Sequence, residues 1–205
     1  MKAMGCLVGL FVVAVICGLV LMGSYNSLVG LGQAVEAQWA QVESAYQRRA
    51  DLIPNLVSTV SGAANFEKST LEAVTQARAS VGQVRINPGD ASSIADFEKA
   101  QSGLSSALSR LLVVSEQYPD LKASANFRDL QVQLEGTENR ISVERNRFNE
   151  AAQTYNTAIL RMPARLFAGL FGMKEKGYFK SVAGSEKAPA VNFSFGASPA
   201  PAPSK

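Results

Sequence analysis

The sequence predicts an all-α protein: an N-terminal transmembrane helix, then an antiparallel up-and-down four-helix bundle with long first and fourth helices. Three observations carry this reading. No strand pattern of any length occurs. Apolar residues instead recur in alternating steps of three and four along most of the chain, the spacing of a bundle seam. Finally, Gly5 to Gly23 is apolar throughout, about the length needed to cross a hydrocarbon core.

The span, residues 5–23, reads as a retained anchor in the lipid bilayer. A cleaved signal would usually have a shorter apolar region, and no Ala-x-Ala-like site comes after it. A lipoprotein signal does not fit either, because Cys6 precedes the apolar stretch instead of closing it. Lys2 and the amino terminus come before the span, and no Lys or Arg occurs after it until Arg48. The positive-inside bias therefore leaves residues 1–4 in the cytoplasm and exports residues 24–183 as a helical bundle.

From about Ser24 a helix runs to Ala64 on the stripe Val35, Trp39, Val42, Tyr46, Ile53, Leu56, Val60, Ala63. A second, shorter helix carries Leu71, Val74, Ala77 and Val81, and ends before the turn signal Asn87-Pro88-Gly89-Asp90. Ser92 or Ser93 is placed to cap the third helix, with Asp96 and Glu98 near its positive end and the stripe Phe97, Leu104, Leu108, Leu111. That helix stops at Tyr118-Pro119-Asp120. The fourth has the most regular heptad, Phe127, Leu130, Leu134, Thr137, Ile141, Glu144, Phe148, Ala151, Tyr155, Ala158, Met162, before Pro163 interrupts it. After Gly184 the Ala/Pro/Ser-rich tail, residues 184–205, cannot bury a core and is expected to be disordered.

Composition closes several routes to chemistry. The 205 residues contain no histidine, and both cysteines, Cys6 and Cys17, lie in the apolar run. Imidazole bases, imidazole metal ligands and a thiol nucleophile in the bundle are thereby excluded. The net charge of +3 gives no basic excess for nucleic acid. No phosphate loop or metal-ligand spacing is present, so no cofactor is expected. Glu138 with Glu144 is the one carboxylate pair available for acid–base work, and the reading is non-enzymatic.

One stretch breaks the helical rules twice. Position 49, which should continue the seam, holds an arginine. Four residues after Ala50 comes Pro54, which has no N–H for the Ala50 carbonyl and crowds it. Pro54 reads as a helix kink, because the stripe keeps its phase across it. The rival is two helices with Asp51 capping the second.

Antiparallel alignment of the first and fourth stripes sets Ala63 opposite Phe127 and Leu56 opposite Leu134. It puts Arg49 level with Ile141, between Glu138 and Glu144, and Trp39 against Ala151. The second helix brings Arg78 within reach of Asp51. An interhelical polar network, or a binding surface built on the same groups, is expected from Arg48, Arg49, Asp51, Asn55, Arg78, Glu138, Asn139, Glu144 and Arg145. Losing Arg49 or Asp51 alone would then leave a buried charge, at roughly 3–5 kcal/mol. The pair Tyr155-Asn156 reads as packing with a local hydrogen bond.

The segment after Pro163 carries Leu166, Phe167, Leu170 and Phe171 among Arg161, Arg165, Lys174, Lys176 and Lys180. It has two readings: an amphipathic element at the membrane surface, or a plug folded back on the stalk of the bundle.

With these residues in view, the chain resembles the LemA family of bacterial single-pass membrane proteins, from about Tyr25 to Phe179. The resemblance rests on Tyr25-Asn26, Trp39, Arg48-Arg49-x-Asp51-Leu52-Ile53-Pro54-Asn55-Leu56-Val57 and Ala77-Arg78. It continues through Tyr118-Pro119-x-Leu121-Lys122-Ala123, Phe127-x-x-Leu130-Gln131, Thr137-Glu138-Asn139, Phe148-Asn149, Tyr155-Asn156 and Pro163. Phe148 departs from it, since the family more usually has tyrosine there. The resemblance implies an anchored helical bundle and no particular reaction. The function expected is a non-catalytic interaction or scaffold module in the cell envelope, with another envelope protein as partner. The alternative is a lipid-responsive element using Leu166–Phe171.

Overall fold

A computed structural model of the chain describes residues 2–63, 66–84 and 86–180; the expected Ala/Pro/Ser-rich tail lies outside them. Among the described residues the regular structure is entirely helical: α1 (Lys2–Ser61), α2 (Lys68–Gln83), α3 (Ala91–Ser115), α4 (Pro119–Ala123) and α5 (Ala125–Leu160), then a 3-10 turn at Ala164–Leu166.

The first part of α1 is apolar all round, and residues 9–22 are exposed to the surroundings on every face. It is the one described helix long and apolar enough to cross a membrane. From Leu28 onward α1 becomes amphipathic. Val35, Trp39, Val42, Tyr46, Ile53, Leu56 and Val60 are all buried, so the helix turns one stripe to the protein. The helix runs unbroken through Pro54. No second helix begins there, and Asp51 caps nothing.

α1 packs chiefly on α5, and α2 on α3. Contacts between α1 and α5 descend along one as they ascend along the other. Gly32 lies by Tyr155, Gln38 bonds Glu144, and Arg49 bonds Glu138. The α5 heptad is buried at Phe127, Leu134, Thr137, Ile141, Glu144, Phe148 and Tyr155. Toward its end the buried line shifts from Ala151 and Ala158 to Ala152 and Ile159. A straight helix of 3.6 residues per turn drifts off a seven-residue repeat in this direction.

Two local expectations are corrected. The cap of α3 is Asp90, whose Oδ1 accepts the Ser92 N–H at 3.0 Å, and not Ser92 or Ser93. Asp90 has extended backbone angles suited to the position, and its charge faces the helix's positive end. The chain after Tyr118 forms α4 where only a stop was expected. Pro119 cannot continue α3, yet its fixed φ and missing N–H suit a first helical turn, and Leu121 is buried beneath it.

The buried apolar residues fall into two clusters. One holds Leu28, Trp39, Tyr46, Phe97, Ile141, Phe148, Phe167 and Phe179 at the end nearer the apolar part of α1. The other holds Ile53, Leu56, Val74, Leu104, Leu111, Phe127 and Leu134. Trp39 sits among the rings of Phe97, Phe148 and Phe179, centroids 5.4 to 6.0 Å away. Phe148 is fully buried and meets two of these rings. Phe148→Ala should therefore lower stability by about 3–5 kcal/mol, read by chemical denaturation of the full chain. Phe148→Tyr would put a hydroxyl into the same box and should cost less than the truncation.

Candidate functional site

The phase of α1 puts position 49 between Tyr46 and Ile53 on the buried stripe, and the arginine there is 2% exposed. Two other helices converge on it. Its Nη1 donates to Ser105 Oγ on α3 at 3.0 Å and to Glu138 Oε2 on α5 at 2.5 Å, and its Nη2 donates to Gln101 Oε1. The guanidinium carbon lies 5.2 Å from the centre of the Tyr46 ring. Nε is buried and has no hydrogen-bond partner among the described residues. Glu138 stays 59% exposed, so the buried cation is balanced by a carboxylate that keeps much of its hydration.

A second ion pair lies beside the first. Arg145 on α5 donates to Glu98 on α3 and, at 2.9 Å, to the Lys180 carbonyl. Its guanidinium also covers the Phe179 ring at 4.7 Å. Arg49, Glu98, Gln101, Glu138, Arg145 and Lys180 border a cleft of about 600 Å³. Burial pushes the Glu98 carboxyl above the usual glutamate range, against the pull of Arg145 and the Lys180 N–H. Burial likewise raises the Tyr46 phenol, with Arg145 and Arg49 opposing it.

The remaining expected site residues divide. Glu144 is buried, but it accepts from Gln38 Nε2 at 2.8 Å and pairs with Arg147 at 3.2 Å, away from Arg49. Arg78 does not meet Asp51. Its Nε donates to the Ala50 carbonyl at 3.1 Å, the group that Pro54 leaves without a helical donor. Asp51 is exposed, as are Arg48, Asn55 and Asn139. The α1 stripe explains this: two positions past Arg49 lies the far face of the helix.

Gln101 and Ser105 were not expected from the sequence. Gln101 fills a gap in the α3 stripe between Phe97 and Leu104, the same signal that exposed Arg49. Asn149 and the reach of Asn156 were not expected either. The Asn156 bonds are not local but extend to Lys176, twenty residues on, at 2.7 and 2.8 Å.

The segment 166–171 divides between its two readings. Phe167 and Ala168 are buried against α1 and α5 in the first apolar cluster. Leu166, Leu170 and Phe171 are exposed, Leu170 at 86%, and Phe171 touches the Tyr25 ring with centroids 5.0 Å apart.

Chemically, the cleft offers fixed hydrogen-bond donors and acceptors and two ion pairs. No group of three or more His, Cys, Asp or Glu among the described residues could hold a metal ion. These features define an all-helical protein with one apolar helix at its start and a polar layer through its core. The match to known proteins is narrower: residues 38–193 match the LemA family, and the chain belongs to that family. The magnetosome protein MamQ of Magnetospirillum gryphiswaldense is 28% identical over 178 residues, covering 78% of this chain and 65% of the relative. Magnetosome protein MamQ 1 of Paramagnetospirillum magneticum is 28% identical over 179 residues, with 78% and 66% covered. Protein LemA of Metamycoplasma hominis is 25% identical over 140 residues, covering 68% of this chain and 61% of the relative. The chain thus spans just under two thirds of the MamQ relatives it matches.

Two outcomes test the site. Arg49→Ala removes three hydrogen bonds and leaves the buried Gln101 amide unpaired, an expected loss of about 3 kcal/mol. Asp51→Ala, at an exposed position, should stay within about 0.5 kcal/mol; urea unfolding of both variants checks the contrast. The second concerns pH. The folded chain holds the Glu98 proton more tightly than the unfolded chain does. Between the ordinary glutamate value and the raised one, the folded state therefore binds more protons, and stability falls as pH rises. Glu98→Gln should remove that component, seen as a flatter stability profile across a pH series.

Proposed function

We propose that this protein is a membrane-anchored helical bundle acting as a non-catalytic interaction or scaffold module in the bacterial cell envelope. The observation that carries the reading is the continuity of α1. From Gly9 to Gly23 it is bare of protein cover and apolar all round, and the same helix then enters the packed core at Leu28. A helix hydrophobic on every side needs a hydrocarbon surrounding. In this reading, the protein lies in the cytoplasmic membrane with its bundle on the exported side. Residues 24–180 form an antiparallel up-and-down four-helix bundle, with α1 and α5 as a stalk between bundle and bilayer. Another envelope protein is the partner. Fixed charges and amides in place of a nucleophile or base suit binding better than turnover.

A lipid-surface role for the segment after Pro163 is the second reading. It is favoured by the exposure of Leu166, Leu170 and Phe171 beside Tyr25, with Arg161 and Arg165 exposed nearby. A spin label at Leu170 of the anchored chain should be relaxed by lipid-borne quenchers under this reading. Silence would remove it.

The anchor itself is tested by extraction. The unaltered chain should stay in the membrane pellet at alkaline pH. Val13→Arg with Ile16→Arg, each costing about 2.5–3.5 kcal/mol at the centre of a span, should release it. Protease added after permeabilising the outer layer should digest the bundle, and protection there would reverse the orientation.

A further inference from the structure

Residues 176–180 lie across α5 as an extended segment paired with side chains where a strand would pair with a strand. The Lys176 N–H donates to Asn156 Oδ1 at 2.7 Å, and Asn156 Nδ2 donates back to the Lys176 carbonyl at 2.8 Å. Phe179 repeats the pattern with Asn149, at 2.9 Å in both directions. The spacings match. Seven residues of helix rise about 10.5 Å, and three residues of extended chain cover about 10 Å. One turn before Asn149, Arg145 holds the Lys180 carbonyl, so three positions of α5 read the main chain in succession.

Side chains are read as well. Gly177 and Phe179, two apart, are both buried, while Tyr178 and Lys180 between and after them are exposed. A Cβ at Gly177 would lie 2.8 Å from Ala91 Cα and 3.0 Å from Ile94 Cδ1, so α3 excludes any larger residue. Phe179 stacks on Trp39 at 5.8 Å and 9°, with Phe148 edge-on at 5.4 Å. Lys176 Nζ reaches Glu36 at 2.7 Å, and the Lys180 N–H reaches Glu98 at 3.2 Å. Paired main-chain bonds with pockets for alternate side chains are how proteins bind extended peptides.

We propose that this groove is a recognition site for an extended Gly-Tyr-Phe-Lys segment, and that it exchanges its own copy for residues 176–180 of a second copy of this chain. Exchange keeps each of these contacts and changes only which chain supplies them, which is the low-cost route to association between copies. Gly172, at φ +68°, gives the connection to α5 a turn at which the path can alter. Anchoring through α1 would hold two bundles at one height and raise their effective concentration. In this respect the proposal rests on the membrane-anchored reading of α1.

The test uses the full chain in detergent micelles and a fluorescent peptide with the sequence of residues 174–180. Phe179→Ala in the chain vacates the aromatic box and should bind the peptide at least tenfold more tightly than the unaltered chain. The peptide carrying Gly177→Ala should bind at least tenfold more weakly, and a chain with Phe179→Ala, Asn149→Ala and Asn156→Ala should lose binding. No binding by a Phe179→Ala chain that keeps its helical melting transition would overturn the groove as a recognition site. For the second copy, two differently tagged chains are placed in one membrane, one with a photocrosslinking residue at Tyr178. An adduct between tags mapping to α5 near Asn156 is expected; adducts within one copy alone overturn exchange. Failure of the anchor leaves the micelle measurement standing, so the two proposals fail separately.

Discussion

Arg49 holds the bundle in register. Its guanidinium sits between the two apolar clusters, with Tyr46 and Ile141 on one side and Ile53 and Leu134 on the other. Each neighbouring helix supplies a polar group at the matching level: Gln101 and Ser105 from α3, Glu138 from α5. Apolar stripes alone would tolerate a slip of one turn. A slip here would set a buried cation against leucine or isoleucine, and buried polar groups without partners are costly. The layer therefore specifies an arrangement more than it adds stability, since desolvation offsets much of the attraction. Glu138, which keeps its hydration, reduces that offset.

The proline four residues past Ala50 belongs to the same arrangement. It leaves one α1 carbonyl without a helical donor, and Arg78 of α2 supplies one. The helix consequently passes Pro54 without ending, and α2 is tied to α1 close to the Arg49 layer. What α2 lacks in length it gains from this bond and from Val74, which is fully buried in the second cluster.

At the other end of the bundle the same principle appears in a different form. The chain after the 3-10 turn has no strand to pair with, yet its peptide groups at 176 and 179 are satisfied by Asn149 and Asn156. Glu98 and Arg145, which hold Lys180, border the cleft beside Arg49. Arg145 thus bonds the segment and Glu98 at once.

The helices themselves were legible in the sequence because burial of one face imposes a period of 3.6, and that period survives in the order of residues. Arg49 stood out for the same reason, as a charge on an apolar stripe, and Pro54 because its chemistry is local. Of the partners further apart, the Arg49–Glu138 pair was legible through the alignment of the two long stripes; most others were not. Asp51 lies on the far face that the α1 stripe already marks, whereas Glu144 lies on the buried stripe of α5 and meets Gln38 because of how the two helices are set against each other. Arg78 found the Ala50 carbonyl instead of the Asp51 carboxylate; Pro54 marks that acceptor in the sequence, but the path of α2 decides which group Arg78 reaches. The groove was hidden most completely. Asn149, Asn156, Gly177 and Phe179 are ordinary residues one by one, and only the path of the chain back along α5 brings main-chain and side-chain amides into pairs. Sequence alone determined which surfaces must be buried; the tertiary structure decided which partners meet, because partner choice depends on directional bonds across the fold.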